Sequence, residues 1–392
     1  MNICFFLPSN PKAGFSPKLG GGSELALYYL STQLVKMGVN VHVLLGGAFK
    51  SDQSIEGVVV HTRPIPNNPV GAYTAAKSAL NEVCSQGHID VLVGFELSTE
   101  WAKATVADAI THVAQTRGTR LCYYVGNHYP WLIPKKESNP WLLWRSLKKT
   151  VKSAHILIAA SSIMGRAVAQ VAGVQPSEVK IVPFGIPIEE YTPKTQNLEA
   201  RTGRVLFVGR IIPHKGLKEL VEAAHVIEKR GYTINYTVVG SRGKLWEDYP
   251  GDHYRELVQL VDSYGLKESF RFTGILPRDD VIFLMQNSRV FAFPSHAEGF
   301  GVALIEAMAA GAVPVVYQIE PLTEIVGEAG VYAKLGDVEN LADAIIKANT
   351  DQTLPTLVSR RIQSYSIQNI AKRFLAEITV AEQQPRQLTV KS

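Results

Sequence analysis

Short apolar runs recur along the chain, and segments with helical spacing lie between them. Residues 2–7 predict a first strand. A Gly-rich loop follows. Leu27, Leu30 and Leu34 then mark the inner face of a helix that Ser23 can cap and Gly38 can end. Residues 39–45 predict the next strand, closing a βαβ unit. Further strands are predicted at 58–62, 90–93, 120–125, 155–159 and 180–183, and helices at 72–84, 98–115, 140–152 and 162–171. Strands that alternate with helices imply a doubly wound parallel sheet. Such sheets bind ligands beyond the carboxyl ends of their strands.

Residues 186–203 turn polar, with Pro187, Pro193 and several charges, and read as a linker after an N-terminal domain at 1–185. A second alternating set begins at Arg204 and fills a C-terminal domain at 204–365. It has strands at 205–210, 234–239, 270–273 and 290–293 and helices at 217–229 and 337–349. Residues 366–382 predict a terminal helix and 383–392 a polar tail. The most informative stretch is 291–317, FAFPSHAEGFGVALIEAMAAGAVPVVY. It reads as strand, loop, helix and strand, with Gly311 stopping the helix in a left-handed conformation.

The composition, 46% hydrophobic and 19% charged, fits a packed globular protein, and 392 residues fit two domains. The net charge of +5 comes without a long basic block, which argues against a nucleic-acid partner. Cys4, Cys84 and Cys122 are far apart and form no CxxC pair, so neither a disulfide framework nor a zinc site is expected, and a reducing, cytoplasmic setting is. The N-terminus lacks a basic flank and reads as a strand rather than a signal peptide. No stretch reaches the length of a membrane span.

Two carboxylates interrupt the 291–317 unit. Glu298 lies in the loop and Glu306 inside the otherwise apolar helix. An unanswered carboxylate there would cost several kcal/mol, so Glu306 needs a partner. Two readings stay open. Glu306 pairs with a core arginine and Glu298 is solvated, or Glu306 accepts hydrogen bonds from a sugar's vicinal hydroxyls and Glu298 stands in the mouth of a site. The backbone N–H groups that start the helix, from Phe300 onward, are suited to phosphate.

The segment PSHAEGFGVALIEAMAAGAVPVV resembles the E-x(7)-E segment of the retaining nucleotide-sugar glycosyltransferases of family 4, the glycosyl transferases group 1. The resemblance implies an α/β chain of the GT-B fold, with two Rossmann-like doubly wound parallel-sheet domains facing a cleft. The terminal helix would cross back to the first domain. By the same resemblance Glu306 would hold the donor ribose and Glu298 would face the donor sugar near the reacting carbon. Gly299, Phe300, Gly301 and Val302 would meet the donor phosphate. VGRIIPHKG matches the family's R-x(4)-K pair, so Arg210 and Lys215 would clamp the diphosphate. Gly21 and Gly22 match a Gly-Gly turn against donor and acceptor. Gly240, in VVGSRGKL, matches a second glycine turn, although the family's turn is one residue shorter. Gly274 and Ile275 would read the base through the backbone. His128, in YYVGNHYPW, would contact the donor sugar; a packed or surface histidine is the alternative.

The chain has no D-x-D, so the expected transfer needs no metal and no cofactor beyond the nucleotide-sugar substrate. The expected acceptor is a glycan, a lipid-linked sugar or a small molecule. Competing readings are a catalytically silent sugar-nucleotide binding protein and another GT-B enzyme, such as an epimerase or phosphorylase. In the helix predicted at 140–152, Arg145, Lys148, Lys149 and Lys152 share one face with Trp141. That face is either solvated or docks an anionic acceptor or membrane surface.

Overall fold

The computed structural model describes residues 1–8, 15–17, 21–97, 101–126, 148–193, 199–241 and 252–383, with 101–104 and 380–383 as backbone only. The chain divides into two compact units, Met1–Gly185 with Ile367–Ser392, and Ile186–Ser366.

Among the described residues the first unit is built on eight strands: β1 (Asn2–Leu7), β2 (Asn40–Gly47), β3 (Ser51–Ile55), β4 (Val58–Pro64), β5 (Val91–Phe95), β6 (Arg120–Val125), β7 (Ile156–Ala159) and β8 (Lys180–Ile181). Their order is β3-β4-β2-β1-β5-β6-β7-β8. All neighbours are parallel except β3, which runs antiparallel to β4. Strands β1, β5 and β6 are almost wholly buried, as expected where helices cover both faces of a parallel sheet. Between them run helices α1 (Gly22–Lys36), α2 (Pro69–Gln86), α3 (Trp101–Arg117), α4 (residues 148–153) and α5 (Ser162–Ala172). Ala72, Ala76 and Leu80 of α2 and Val106 and Ile110 of α3 share one core with Cys4, Phe6 and Leu92 of the sheet. The three cysteines are buried and free.

Two local expectations need correction. Helix α1 begins at Gly22 with Gly21 as its N-cap, so Ser23 lies inside the first turn and caps nothing. Strand β3 was not expected, because SDQSI has one apolar residue, Ile55, and no apolar run. It is a solvent-facing edge held by polar contacts: Arg63 Nη1 donates to Asp52 Oδ1 at 2.7 Å, and His61 Nδ1 lies 2.8 Å from the same oxygen. The Arg63 guanidinium, aided by His61, holds the Asp52 carboxyl down at about 2.

The second unit holds β9 (Arg204–Val208), β10 (Asn235–Val239), β11 (Phe270–Gly274), β12 (Val290–Phe293), β13 (Val313–Tyr317) and β14 (Val331–Ala333). They form one parallel sheet in the order β11-β10-β9-β12-β13-β14. Its helices are α6 (Ile188–Tyr191), α7 (Leu217–Lys229), α8 (His253–Ser263), α9 (Arg278–Gln286), α10 (Val302–Ala309), α11 (Leu322–Val326), α12 (Val338–Thr350) and α13 (Leu354–Ile362). The start of the stretch read as a linker folds with this unit. Ile186 bridges to Ser366, and α6 ends on the fully buried Tyr191.

The terminal helix α14 (Ile367–Gln383) belongs to the first unit. Its Phe374 is buried and stacks on Phe5 and Tyr124, with ring centroids 5.7 and 5.9 Å away. Arg120 Nη1 donates to Ile378 O at 2.8 Å, so the amino end of β6 grips the same helix. Truncating a buried phenylalanine typically costs about 3–5 kcal/mol. Phe374→Ala should lower the unfolding free energy of the step that includes the first unit by that amount, read from the shift in its denaturant midpoint. A change under about 1 kcal/mol would show that α14 contributes little to this unit.

Candidate active site

In the second unit β9 is flanked by β10 on one side and β12 on the other, so the sheet order reverses there. Loops leaving the carboxyl ends of such strands diverge and leave a crevice. The loop after β9 carries Arg210 and Lys215, and the loop after β12 carries Glu298.

Close backbone contact holds these loops together. Gly216 has φ +69°, and a Cβ there would fall 1.9 Å from Pro294 O, so only glycine lets the turn 213–216 press on the end of β12. The His296 N–H donates to His214 O at 2.8 Å across the same junction. A second close approach lies beside it. Gly240 has φ +154°, and its Cβ would stand 1.7 Å from Gly209 O. The Gly240 N–H donates to Gly274 O at 2.9 Å, which ties the ends of β10 and β11 together.

The consequence is a buried ion pair between Lys215 Nζ and Glu298 Oε1. Lys215 is 9% exposed and Glu298 6%. The ammonium also lies 5.2 Å from the Phe293 ring centroid, within cation–π range. Arg210 is half-buried in the same loop. His296, given no role by the sequence, lies with Nε2 2.8 Å from Glu219 Oε1 on α7. Its ring is 5.7 Å from that of Tyr317, whose phenol burial and nearby Glu219 hold well above its ordinary range.

Glu306 is 6% exposed in the middle of α10. Its Oε1 accepts from Tyr191 Oη at 2.9 Å and from Arg278 Nη2 at 2.5 Å. The arginine partner that the sequence left open is therefore present, half-buried rather than in the core, and is joined by a tyrosine from α6. Helix α10 starts from Gly301, which has φ +102°, with Val302 as its first residue. Phe300 is buried with its ring 6.0 Å from Tyr365, and Gly299 precedes it in the loop. Ile275, after β11, is 77% exposed.

Gly21 and Gly22 lie in the first unit, exposed, at the start of α1. His128 lies outside the described residues, as do Trp141 and Arg145. Lys148, Lys149 and Lys152 are exposed on α4, and Lys149 Nζ is 3.5 Å from Asp108 Oδ1. Among the described residues no group of three or more His, Cys, Asp or Glu is placed to hold a metal ion, and no helix is long and apolar enough to cross a membrane.

Two family models match the chain, "Glycosyltransferase Family 4" over residues 20–190 and "Glycosyl transferases group 1" over 189–365. Together the two models span residues 20–365, and the chain belongs to the glycosyltransferases of family 4 and group 1 that they describe. Among the relatives of this group 1 chain, O-antigen chain mannosyltransferase B of Escherichia coli is 30% identical over 160 residues, 41% of this chain and 40% of the relative. The GDP-mannose:cellobiosyl-diphosphopolyprenol alpha-mannosyltransferase of Xanthomonas campestris is 26% identical over 253 residues, 62% of this chain and 64% of the relative. Both alignments span less than two thirds of the relative's length.

Solved structures agree on the fold. Sucrose-phosphate synthase from Thermosynechococcus elongatus superposes with TM-score 0.78 at 18% identity, over 97% of this chain and 99% of that one. HepE of Anabaena in complex with UDP and glucose gives 0.72 at 20% identity, over 97% and 100%. The group 1 chain has the GT-B fold, an α/β architecture of two parallel-sheet domains with eight and six strands among the described residues.

Gly216→Ala should cost about 2 kcal/mol or more, from a strained left-handed alanine and the clash with Pro294 O. Chemical denaturation measures the loss. Unchanged stability would mean that the turn 213–216 does not press on β12.

Proposed function

We propose that this chain is a retaining, metal-independent glycosyltransferase that moves a hexose from a nucleotide-sugar donor to a hydroxyl of a glycan or lipid-linked acceptor. The observation that carries the reading is the buried Lys215–Glu298 pair at the crevice where the second sheet reverses order. A buried cation at the mouth of such a sheet suits a leaving diphosphate. Arg210 and Lys215 would stabilise the charge that develops as the donor C1–O bond breaks. Glu298 would face the hexose, and Glu306 would accept from the ribose hydroxyls. On the retaining path the acceptor oxygen bonds to C1 on the face the diphosphate leaves, and its proton passes to the departing phosphate oxygen.

Relatives named for mannosyl transfer, one from GDP-mannose to a diphosphopolyprenol-linked acceptor, support transfer within glycan assembly. The solved complex of HepE with UDP and glucose supports a nucleotide-sugar donor. The exposed Lys148, Lys149 and Lys152 would favour an anionic lipid-linked acceptor at a membrane surface, at about 1 kcal/mol each near anionic lipid.

The reading is tested by incubating the protein with α-linked nucleotide sugars and a panel of acceptors. Product should require an acceptor, should carry an α linkage by NMR at early times, and should form in EDTA. Lys215→Ala should reduce turnover by about 10²–10³, as for loss of one preorganised donor. Glu298→Gln should reduce turnover while sparing binding of the nucleoside diphosphate. A β-linked product would remove the enzyme from the retaining class. Nucleotide binding with no product from any acceptor would instead indicate a silent sugar-nucleotide binding protein.

A further inference from the structure

An arginine and a carboxylate left to themselves favour a two-point fork, with both carboxylate oxygens engaged. Glu306 departs from that arrangement. Arg278 Nη2 and Tyr191 Oη converge on the same oxygen, Oε1, at 2.5 and 2.9 Å, and they also contact each other. The guanidinium carbon lies 5.5 Å from the Tyr191 ring centroid, so the arginine rests on that ring. Tyr191 is fully buried, and its carbonyl accepts from Gln286 Nε2 at 2.8 Å, which ties it to the far end of α9. Among the described residues nothing donates to Oε2. Two donors fill the acceptor capacity of Oε1 and leave Oε2 to take further hydroxyls. Arg278 is also the first residue of α9, three positions after Ile275, so the same side chain joins the loop that follows β11 to the acid on α10.

We infer that Tyr191 and Arg278 are positioning residues. They hold Glu306 by Oε1 so that Oε2 accepts from the ribose hydroxyls, and they make the site selective for ribonucleoside over 2′-deoxyribonucleoside diphosphates. The inference rests on the nucleotide-donor reading above. A carboxylate held only by packing could rotate to present either oxygen. One fixed by two donors loses little orientational freedom when the ribose arrives. It also rejects a donor that lacks the hydroxyl, because the acceptor is left unpaired.

The test is isothermal titration of the full chain with UDP and GDP and with their 2′-deoxy counterparts. Wild type should prefer the ribo form of its better base by about tenfold or more, the scale of one hydrogen bond to a charged group. Tyr191→Phe keeps the ring, and so the packing, and should cut that preference about threefold or more. Arg278→Ala should bring it close to unity, and Arg278→Lys should restore part of it. In Glu306→Gln the further change Arg278→Ala should have little added effect on the ratio. A ratio unchanged in both Tyr191→Phe and Arg278→Ala, but lost in Glu306→Gln, overturns the inference and leaves the nucleotide reading standing. Failure of wild type to bind any of these nucleotides overturns both.

Discussion

A carboxylate removed from water must be answered by a cation or by several donors, because its desolvation cost otherwise exceeds what packing returns. The second unit meets this constraint twice, in two different ways. Glu298 is answered by a lysine that is itself buried and rests on Phe293. Glu306 is answered by an arginine and a tyrosine on one oxygen. Much of the local architecture around the crevice follows from these two solutions. The turn at Gly216 lets Lys215 reach the loop after β12. Tyr191 of α6 and Arg278 of α9 are drawn to the middle of α10 by the acid it carries.

Burial also gives the charges their chemical value. An ion pair in water is weakened by screening, whereas charges shielded by protein interact strongly and cost little reorganisation when a substrate arrives. The Lys215–Glu298 pair is preformed, with its geometry set by backbone contacts that no side chain larger than glycine would allow. Exchange of partners within that pair, from carboxylate to diphosphate, is the change that donor binding would bring. The first unit shows the same parallel-sheet logic. Its core contacts fix α14, through Phe374, on the strands β1 and β6.

Sequence made the two-sheet architecture and the position of the acids legible, because parallel strands buried on both faces leave unbroken apolar runs and Glu306 interrupts one conspicuous apolar helix. The resemblance then singled out Arg210 and Lys215. The pairings were not legible. Lys215 and Glu298 are 83 positions apart, and Arg278 and Glu306 are 28 apart, and no local period links either pair. Tyr191 was hidden because it sits in a polar, proline-flanked stretch that has the composition of a linker, although its own side chain is wholly buried. Strand β3 was missed for a related reason. Its residues are polar because the edge faces water, and the cluster around Arg63 supplies what apolar burial does elsewhere. His296 and Glu219 likewise had no signal until the fold put α7 beside the loop after β12.

The two buried acids, Glu298 and Glu306, would take different parts of one bound nucleotide sugar. A crystal structure of the protein with its preferred nucleoside diphosphate tests this most directly. A phosphate oxygen is expected within about 2.7–3.2 Å of Lys215 Nζ and a ribose hydroxyl at the same kind of distance from Glu306 Oε2, with Arg278 and Tyr191 still on Oε1. A nucleotide bound elsewhere, or one whose ribose displaces Arg278 to reach Oε1, would contradict it.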